Sequence, residues 1–291
     1  MNKQTRRWTA ALCALAFAVL AGCSGNDSIT LPGDDPTGAP ALPSTSTMKF
    51  QLDFFGATAP AVDAQSLATG KPSAQMLQSA TAIDRSNWIN AFVRALYAQL
   101  ITFDALEEPI AAFALAIHSV PQKQDDGSYL WTYLFVDKET AAEYSIFLYG
   151  LPVGNSVQWR MEVSSNDPAQ PLDHFKWFDG TSMETEGYWQ FYEPVDETNG
   201  VEVARIDWTD TKLLDMLLVT VNGVGHEDEG DTLEFRETPV EGTIEHYDAS
   251  EDARCTILWS ADGSGSITCP DYNGGVKSCW DEHQRDTACP Q

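Results

Sequence analysis

Val157-Gln158-Trp159-Arg160-Met161-Glu162-Val163-Ser164 alternates apolar and polar side chains at every step. A period of two sends successive side chains to opposite faces, so this stretch predicts a strand with one buried and one wet face. Upstream, Tyr129, Trp131, Tyr133 and Phe135 share one parity, while Leu130, Leu134 and Val136 hold the other. Both faces of that segment are apolar, which predicts a central strand covered on each side. Tyr144, Ile146 and Leu148 continue the alternation. Downstream, strands are expected at 175–178, 188–192, 201–208, 216–221, 233–236, 243–247, 255–259 and 266–269. Asp179-Gly180, Asn199-Gly200, Asn222-Gly223, Asp262-Gly263 and Asn273-Gly274 are the turn signals between them. No segment of helical period separates consecutive strands, so an antiparallel meander is expected in place of a βαβ fold.

Ahead of this block the period changes. Trp88, Ile89, Phe92, Val93, Leu96 and Leu100 recur at helical spacing within 84–104, with Asp84 or Ser86 as N-cap. A second helix is expected from Glu107, where Pro109 suits the first turn and Glu107 and Glu108 complement the positive end of the dipole. Ile110, Phe113, Ala114 and Ile117 give it an apolar face, ended by His118 and Pro121. Met48, Phe50, Leu52 and Phe54 alternate with Lys49, Gln51 and Asp53, which predicts one more half-buried strand at 47–55. The expected fold is α+β: a large twisted antiparallel sheet that could close partly into a barrel, with two N-terminal helices on one face.

The chain has 291 residues, of which 43% are hydrophobic and 21% charged. That is too apolar for a wholly disordered acidic chain. Seventeen Lys and Arg stand against 43 Asp and Glu, a formal charge of −26. Nucleic acid is not an expected partner, because phosphate contacts need clustered Lys and Arg. The acidity is spread through loops and polar strand faces, which reads as a surface adaptation for solubility or high salt.

The N-terminus has three parts. Lys3, Arg6 and Arg7 precede an apolar run from Ala10 to Leu20, and Leu20-Ala21-Gly22-Cys23 follows. The run is far shorter than the roughly 20 residues of a spanning helix, so it reads as a secretory signal. The Leu, two small residues and Cys resemble the lipobox of bacterial lipoproteins. That resemblance implies cleavage after residue 22 and a lipid on Cys23, which would tie the chain to a membrane. Ser24 in place of Asp leans towards the outer membrane of the cell envelope, facing the periplasm or the cell surface. Residues 24–46 hold Pro32, Pro36, Pro40 and Pro43 with several Gly, Ser, Thr and Asp, and few large apolar groups. Such a segment cannot offset its ordering entropy, so 23–46 is expected to be a disordered tether. Residues 47–291 are then expected to form a single α+β domain, with its helical part at about 73–118 and its sheet at about 127–280.

Four cysteines remain: Cys255, Cys269, Cys279 and Cys289. An even number in an exported domain predicts two disulfides, and no C-x-x-C favours zinc. A three-residue loop at Ala261-Asp262-Gly263 would set Ser260 opposite Ser264 and Cys255 opposite Cys269, leaving Cys279 for Cys289. A loop at 273–275 would instead oppose Cys269 and Cys279 and leave Cys255 for Cys289. The first pairing is favoured.

No H-E-x-x-H, G-x-S-x-G or phosphate-loop pattern occurs. His246 and Asp248 share a strand parity without an identifiable nucleophile, so no catalytic residue is assigned. His226-Glu227-Asp228-Glu229-Gly230-Asp231 is the most concentrated polar segment. Its oxygens could hold Ca²⁺, although the EF-hand register fails and a solvated hairpin loop is the preferred reading. Asp179-Gly180 followed by Gly187-Tyr188-Trp189-Gln190-Phe191-Tyr192 resembles a MORN-like hairpin repeat, but no fixed period recurs. If the row Tyr188, Trp189, Phe191 and Tyr192 faced solvent it could stack on sugars, whereas Trp159, Trp208 and Trp259 are expected in the core. A curved sheet covered by a helix resembles, at fold level, the periplasmic carriers that escort lipoproteins. The expected function is a lipid-anchored, non-enzymatic protein acting in binding or envelope assembly. A protein, a glycan or a hydrophobic ligand would be its partner. A surface hydrolase or glycan-binding module is the alternative, and a hydrolase would need His174, His226 or His246 in a cleft with perturbed carboxylates.

Overall fold

The computed structural model describes residues 38–49, 84–103, 106–116, 119–136, 141–222 and 228–290. Among these residues two helices, α1 (Ser86–Phe103) and α2 (Glu107–Ala116), precede fourteen strands. The strands are β1 (Gln122–Lys123), β2 (Tyr129–Val136), β3 (Glu143–Val153), β4 (Ser156–Ser165), β5 (Leu172–Ser182), β6 (Glu186–Pro194) and β7 (Gly200–Asp210). They continue as β8 (Asp215–Val221), β9 (Thr232–Glu237), β10 (Glu241–Asp248), β11 (Ala253–Ser260), β12 (Gly265–Thr268), β13 (Ser278–Trp280) and β14 (Asp286–Thr287). They lie in chain order, with β1 and β14 at the two ends of an antiparallel meander. Among the described residues no helix is long and apolar enough to cross a membrane.

The chain divides into two compact units. The first holds Met1–Thr45, Leu106–Glu184 and Phe191–Val201. Its centre is β2 to β5, paired in long ladders such as Ile146↔Val163 and Leu148↔Met161. Trp131, Ile146, Leu148, Trp159, Met161, Val163 and Phe178 share the buried face, as the alternation at 157–164 predicts. α2 packs on β2 and β3, with the Tyr133 hydroxyl donating to the Ala112 carbonyl at 2.6 Å. The expectation that β2 is covered on both sides fails: Leu134 and Val136 are 59% and 48% exposed. Their strand lies second in order, beside the two-residue β1, and only the Tyr129–Trp131 face is sealed. Asp179-Gly180 is not a turn either. Gly180 lies inside β5, opposite Trp159, so the MORN-like reading of that dipeptide fails.

The second unit holds Ser46–Ala105, Thr185–Gln190 and Glu202–Gln291. Its buried face runs through Ile206, Trp208, Leu217, Val219, Leu233, Phe235, Ile244, Ile257, Trp259 and Ile267. α1 packs on β12, β13 and β14. The face it buries is centred on Trp88, Ala91, Phe92, Ala95 and Ala98, while Ile89 and Leu96 of the expected face are only half-buried. Alanines at the contact let a helix approach a sheet closely, so Ala91, Ala95 and Ala98 join Trp88, Phe92 and Val93 in the seam. The N-cap also differs. Neither Asp84 nor Ser86 caps α1; the Asp286 carboxylate accepts from the Ser86 hydroxyl and from the backbone N–H groups of Ser86 (3.1 Å) and Asn87 (2.9 Å). The strand expected at 47–55 begins in a 3-10 turn at Thr45–Thr47 with Met48 buried, and its remainder lies outside the described residues. Trp189 Nε1 donates to Thr47 Oγ1 at 3.2 Å.

One device recurs in both units. A glycine faces a tryptophan across the ladder: Gly150 faces Trp159, Gly242 faces Trp259 and Gly265 faces Trp280. A Cβ on Gly150 would come within 2.7 Å of the Trp159 ring, and one on Gly242 or Gly265 would fall inside the opposing indole. Each ring lies across the bare backbone of its neighbour, which restores the packing that the glycine omits.

Candidate functional site

The cysteines are paired as the favoured reading expects. Cys255–Cys269 and Cys279–Cys289 are the two disulfides, with Cα separations of 4.2 and 5.2 Å. The Ser260 N–H donates to the Ser264 carbonyl, and Gly263 has φ 91°, the left-handed conformation that the three-residue loop requires. Residues 273–275 form a short 3-10 turn and so do not open the competing hairpin. Cys23, the expected lipid site, lies outside the described residues.

The hairpin ends of the second unit border a half-open pocket of about 630 Å³. The β7–β8, β9–β10 and β11–β12 turns supply its walls, and Trp259 borders it. Register explains its chemistry. Asp210 faces Asp215 across β7 and β8, and Asp215 faces Glu237 across β8 and β9. Directly opposed residues lie about 4.5 to 5.5 Å apart, so three carboxylates stand in one row on one face. The row runs on through Gly242, Trp259, Gly265 and Trp280. Asp215 is exposed at the start of β8, yet partial desolvation raises its carboxyl to about 6, helped by the charge of Asp210, a hydrogen bond to it, and the charge of Glu237. Asp262, on the opposite wall, is held below the ordinary range because its carboxylate accepts from the Ser264 hydroxyl and N–H. Lys212 is the one basic side chain in the lining.

Asp210, Asp215 and Glu237 are not among the residues singled out from sequence. A signal was present: Asp210 and Asp215 bracket a four-residue turn between two alternating strands, which opposes them in any hairpin closed there. The step to Glu237 needs the pairing of β8 with β9, which composition does not reveal.

The other sequence candidates disperse. His226 and Glu227 lie outside the described residues. Asp231 is buried; its Oδ1 accepts from the Ala249 N–H, and its Oδ2 lies 3.5 Å from His246 Nε2. Asp228 accepts the Asp231 N–H at its carbonyl, and Glu229 is exposed. Asp248 turns to Ser250 and Glu251 instead of completing a triad with His246. Among the described residues no group of three or more His, Cys, Asp or Glu is arranged to hold a metal ion. His174, with φ 48° in β5, stacks on Phe147 and reaches Glu162 at 3.2 Å. Glu162 also pairs with Arg160 at 3.0 Å, on the face of β4 opposite the buried Trp159 and Met161.

The row 188–192 splits by parity. Trp189 and Phe191 are buried, and Trp159, Trp208 and Trp259 are buried too, as expected. Tyr188 and Tyr192 are half-exposed, but Arg205 sits 4.1 Å over the first ring and Lys176 3.9 Å over the second. Tyr149 carries Arg160, and Tyr247 carries Arg254, in the same way. Each of these cation–π contacts occupies one face of its ring.

No protein family, no curated protein and no solved structure matches this chain at a significant level.

Proposed function

We propose that this chain is a lipid-anchored envelope protein that acts by binding, with the hairpin-end cavity as its ligand site. The anchor is Cys23, followed by the tether, and Ser24 favours the outer membrane. We also take both helices to cover one face of the sheet. The observation that carries the reading is the cavity itself: about 630 Å³, bordered by Trp259 and lined by Asp215, Glu237, Glu241 and Asp262. Carboxylates around a half-open pocket suit a ligand with amine or guanidinium groups, through charge complementarity. The cavity sought by a hydrophobic-ligand carrier would lie beneath Trp88 to Leu100, whereas this one is at the hairpin ends and acidic. Neither His174 nor His246 lines it, so it offers a hydrolase no histidine base from that pair.

An oligoamine titration tests the site, read through tryptophan fluorescence. Saturable quenching that Glu237→Gln and Trp259→Phe weaken is expected. Quenching by a neutral oligosaccharide but not by the amine would replace this reading with a glycan module. The anchor is tested separately by fractionation: Cys23→Ser should leave the membrane pellet, and a variant that stays there removes the lipid assignment.

A further inference from the structure

The two ends of the meander are finished differently. β14 is two residues long; its Asp286 N–H donates to the Asp84 carbonyl at 2.9 Å, and α1 lies against it. β1 is as short, but it pairs only with Tyr129 and Leu130 of β2, and the chain ahead of it leaves at Pro121 for α2. Residues 131–136 of β2 are left as a sheet edge. The Gln124 N–H donates to the Ser128 carbonyl, which sets the parity: the even residues of β2 turn their main-chain groups to the side of β1. Thr132, Leu134 and Val136 therefore point N–H and C=O out of the sheet, and among the described residues no loop backbone meets them. Their side chains are exposed as well. The devices that usually blunt an edge are missing: no charged residue or proline falls between Gly127 and Val136, and the pairing with β3 has no bulge.

We propose that this edge is an interface with a second copy of the chain, the two β2 strands pairing antiparallel about Leu134. The stretch is complementary to itself. Pairing centred on Leu134 sets Thr132 against the partner's Val136, both β-branched, and Tyr133 against the partner's Phe135, both aromatic. Leu134 meets its own copy. Such cross-strand pairs are the ones that stabilise a sheet. The even residues fall on hydrogen-bonded rungs, so three rungs supply about six main-chain hydrogen bonds. α2 favours the same occupant. It has no polar side chain from Pro109 to Ala116, and its half-buried positions Ala111, Ala114 and Leu115 are all apolar. A helix that is apolar all round belongs in an interior. α2 packs on β2 and β3. Strands lie about 4.8 Å apart, so two helices seated in this way would lie about 10 Å apart, the spacing of packed helices. Charge points to the same surface: at −26 two copies repel each other unless they meet where charge is absent. The other end of the meander is covered by α1, so the pairing closes at two copies and does not propagate.

The interface belongs to the first unit and stands whatever the pocket of the second unit binds. Leu134→Cys tests it in the full chain, because Cys255, Cys269, Cys279 and Cys289 are already paired. Opposed residues on a hydrogen-bonded rung lie about 5.5 Å apart, within disulfide reach, so mild oxidation in detergent should give a covalent dimer. Val240→Cys, equally exposed in the second unit, should stay unlinked. Sedimentation of the wild type at about 100 µM should show a dimer. Leu134→Lys, with unchanged circular dichroism, should weaken it roughly tenfold by placing like charges across the two-fold axis. A monomer at that concentration overturns the proposal, and so do association untouched by Leu134→Lys, equal linking by both thiols, or species larger than a dimer. Slow amide exchange at Thr132, Leu134 and Val136 in such a monomer would show the edge sealed within its own chain.

Discussion

The first unit builds its sheet from strands of eight to eleven residues, β2 to β5, and its chain contains no cysteine among the described residues. The second ends in strands of four, three and two residues, β12 to β14, and holds both disulfides. Length accounts for the difference. Each long ladder supplies many cross-strand pairs, and Trp131, Trp159, Phe178 and Phe191 fill the face they share. Strands of two or three residues cannot hold themselves in register. The C-terminal hairpins are held instead by covalent bridges, by α1 lying across them and by polar ties from the helix. Asn87 Nδ2 donates to the Cys279 carbonyl, Tyr272 donates to Asn87 Oδ1, and Arg94 pairs with Asp271 at 2.7 Å. One part of the molecule is secured by packing and the other by stitching.

That contrast predicts where damage should appear. Trp159→Ala removes a buried indole that also donates to Ser182 Oγ at 2.8 Å. It should cost about 3 to 5 kcal/mol in urea unfolding, with hydrogen-exchange protection lost first from β3 to β5. Equal early loss from β11 to β13 would break the contrast. Replacing Cys255 and Cys269 by Ser should cost about 2 to 4 kcal/mol and loosen β11 and β12 first, measured by the same exchange. Gly242→Ala drives a methyl into the Trp259 ring and should cost about 1 to 3 kcal/mol. Gly150→Ala, where the approach is 2.7 Å, should cost less. Asp286→Ala removes a cap from α1 and should lower stability by about 1 kcal/mol, visible as fraying of residues 86–90. Trp208→Phe is the smallest. Trp208 Nε1 is buried with no hydrogen-bond partner among the described residues, so losing it offsets part of the cost of the void a smaller ring leaves, and the net loss should stay within about 1 kcal/mol.

The strands were legible because alternation is local. The windows at 188–192, 201–208 and 243–247 fall inside β6, β7 and β10, and the observed strands extend them by one or two residues at each end. The disulfides were legible for the same reason: Gly263 fixes one tight turn, and counting outward from it reaches Cys255 and Cys269. What failed was long-range. The seam of α1 depends on how closely it approaches β12, which its own periodicity does not encode. Asp179-Gly180 has turn chemistry, yet Gly180 pairs with Trp159 inside β5, and the strand ladder overrides the dipeptide. The carboxylate row was illegible because its members become neighbours only through two successive strand pairings.

The cap on α1 bears on the timing of folding. Its acceptor, Asp286, lies 200 residues downstream of Ser86. A chain made from its N-terminus emerges with residues 86 and 87 long before the carboxylate that completes their helix. The first turn of α1 therefore stays unsealed until residue 286 has appeared, and the docking of helix against hairpin is an event of high contact order. Removing Asp286 and the residues beyond it would leave every strand from β2 to β12 intact in sequence and still undo the start of the helix.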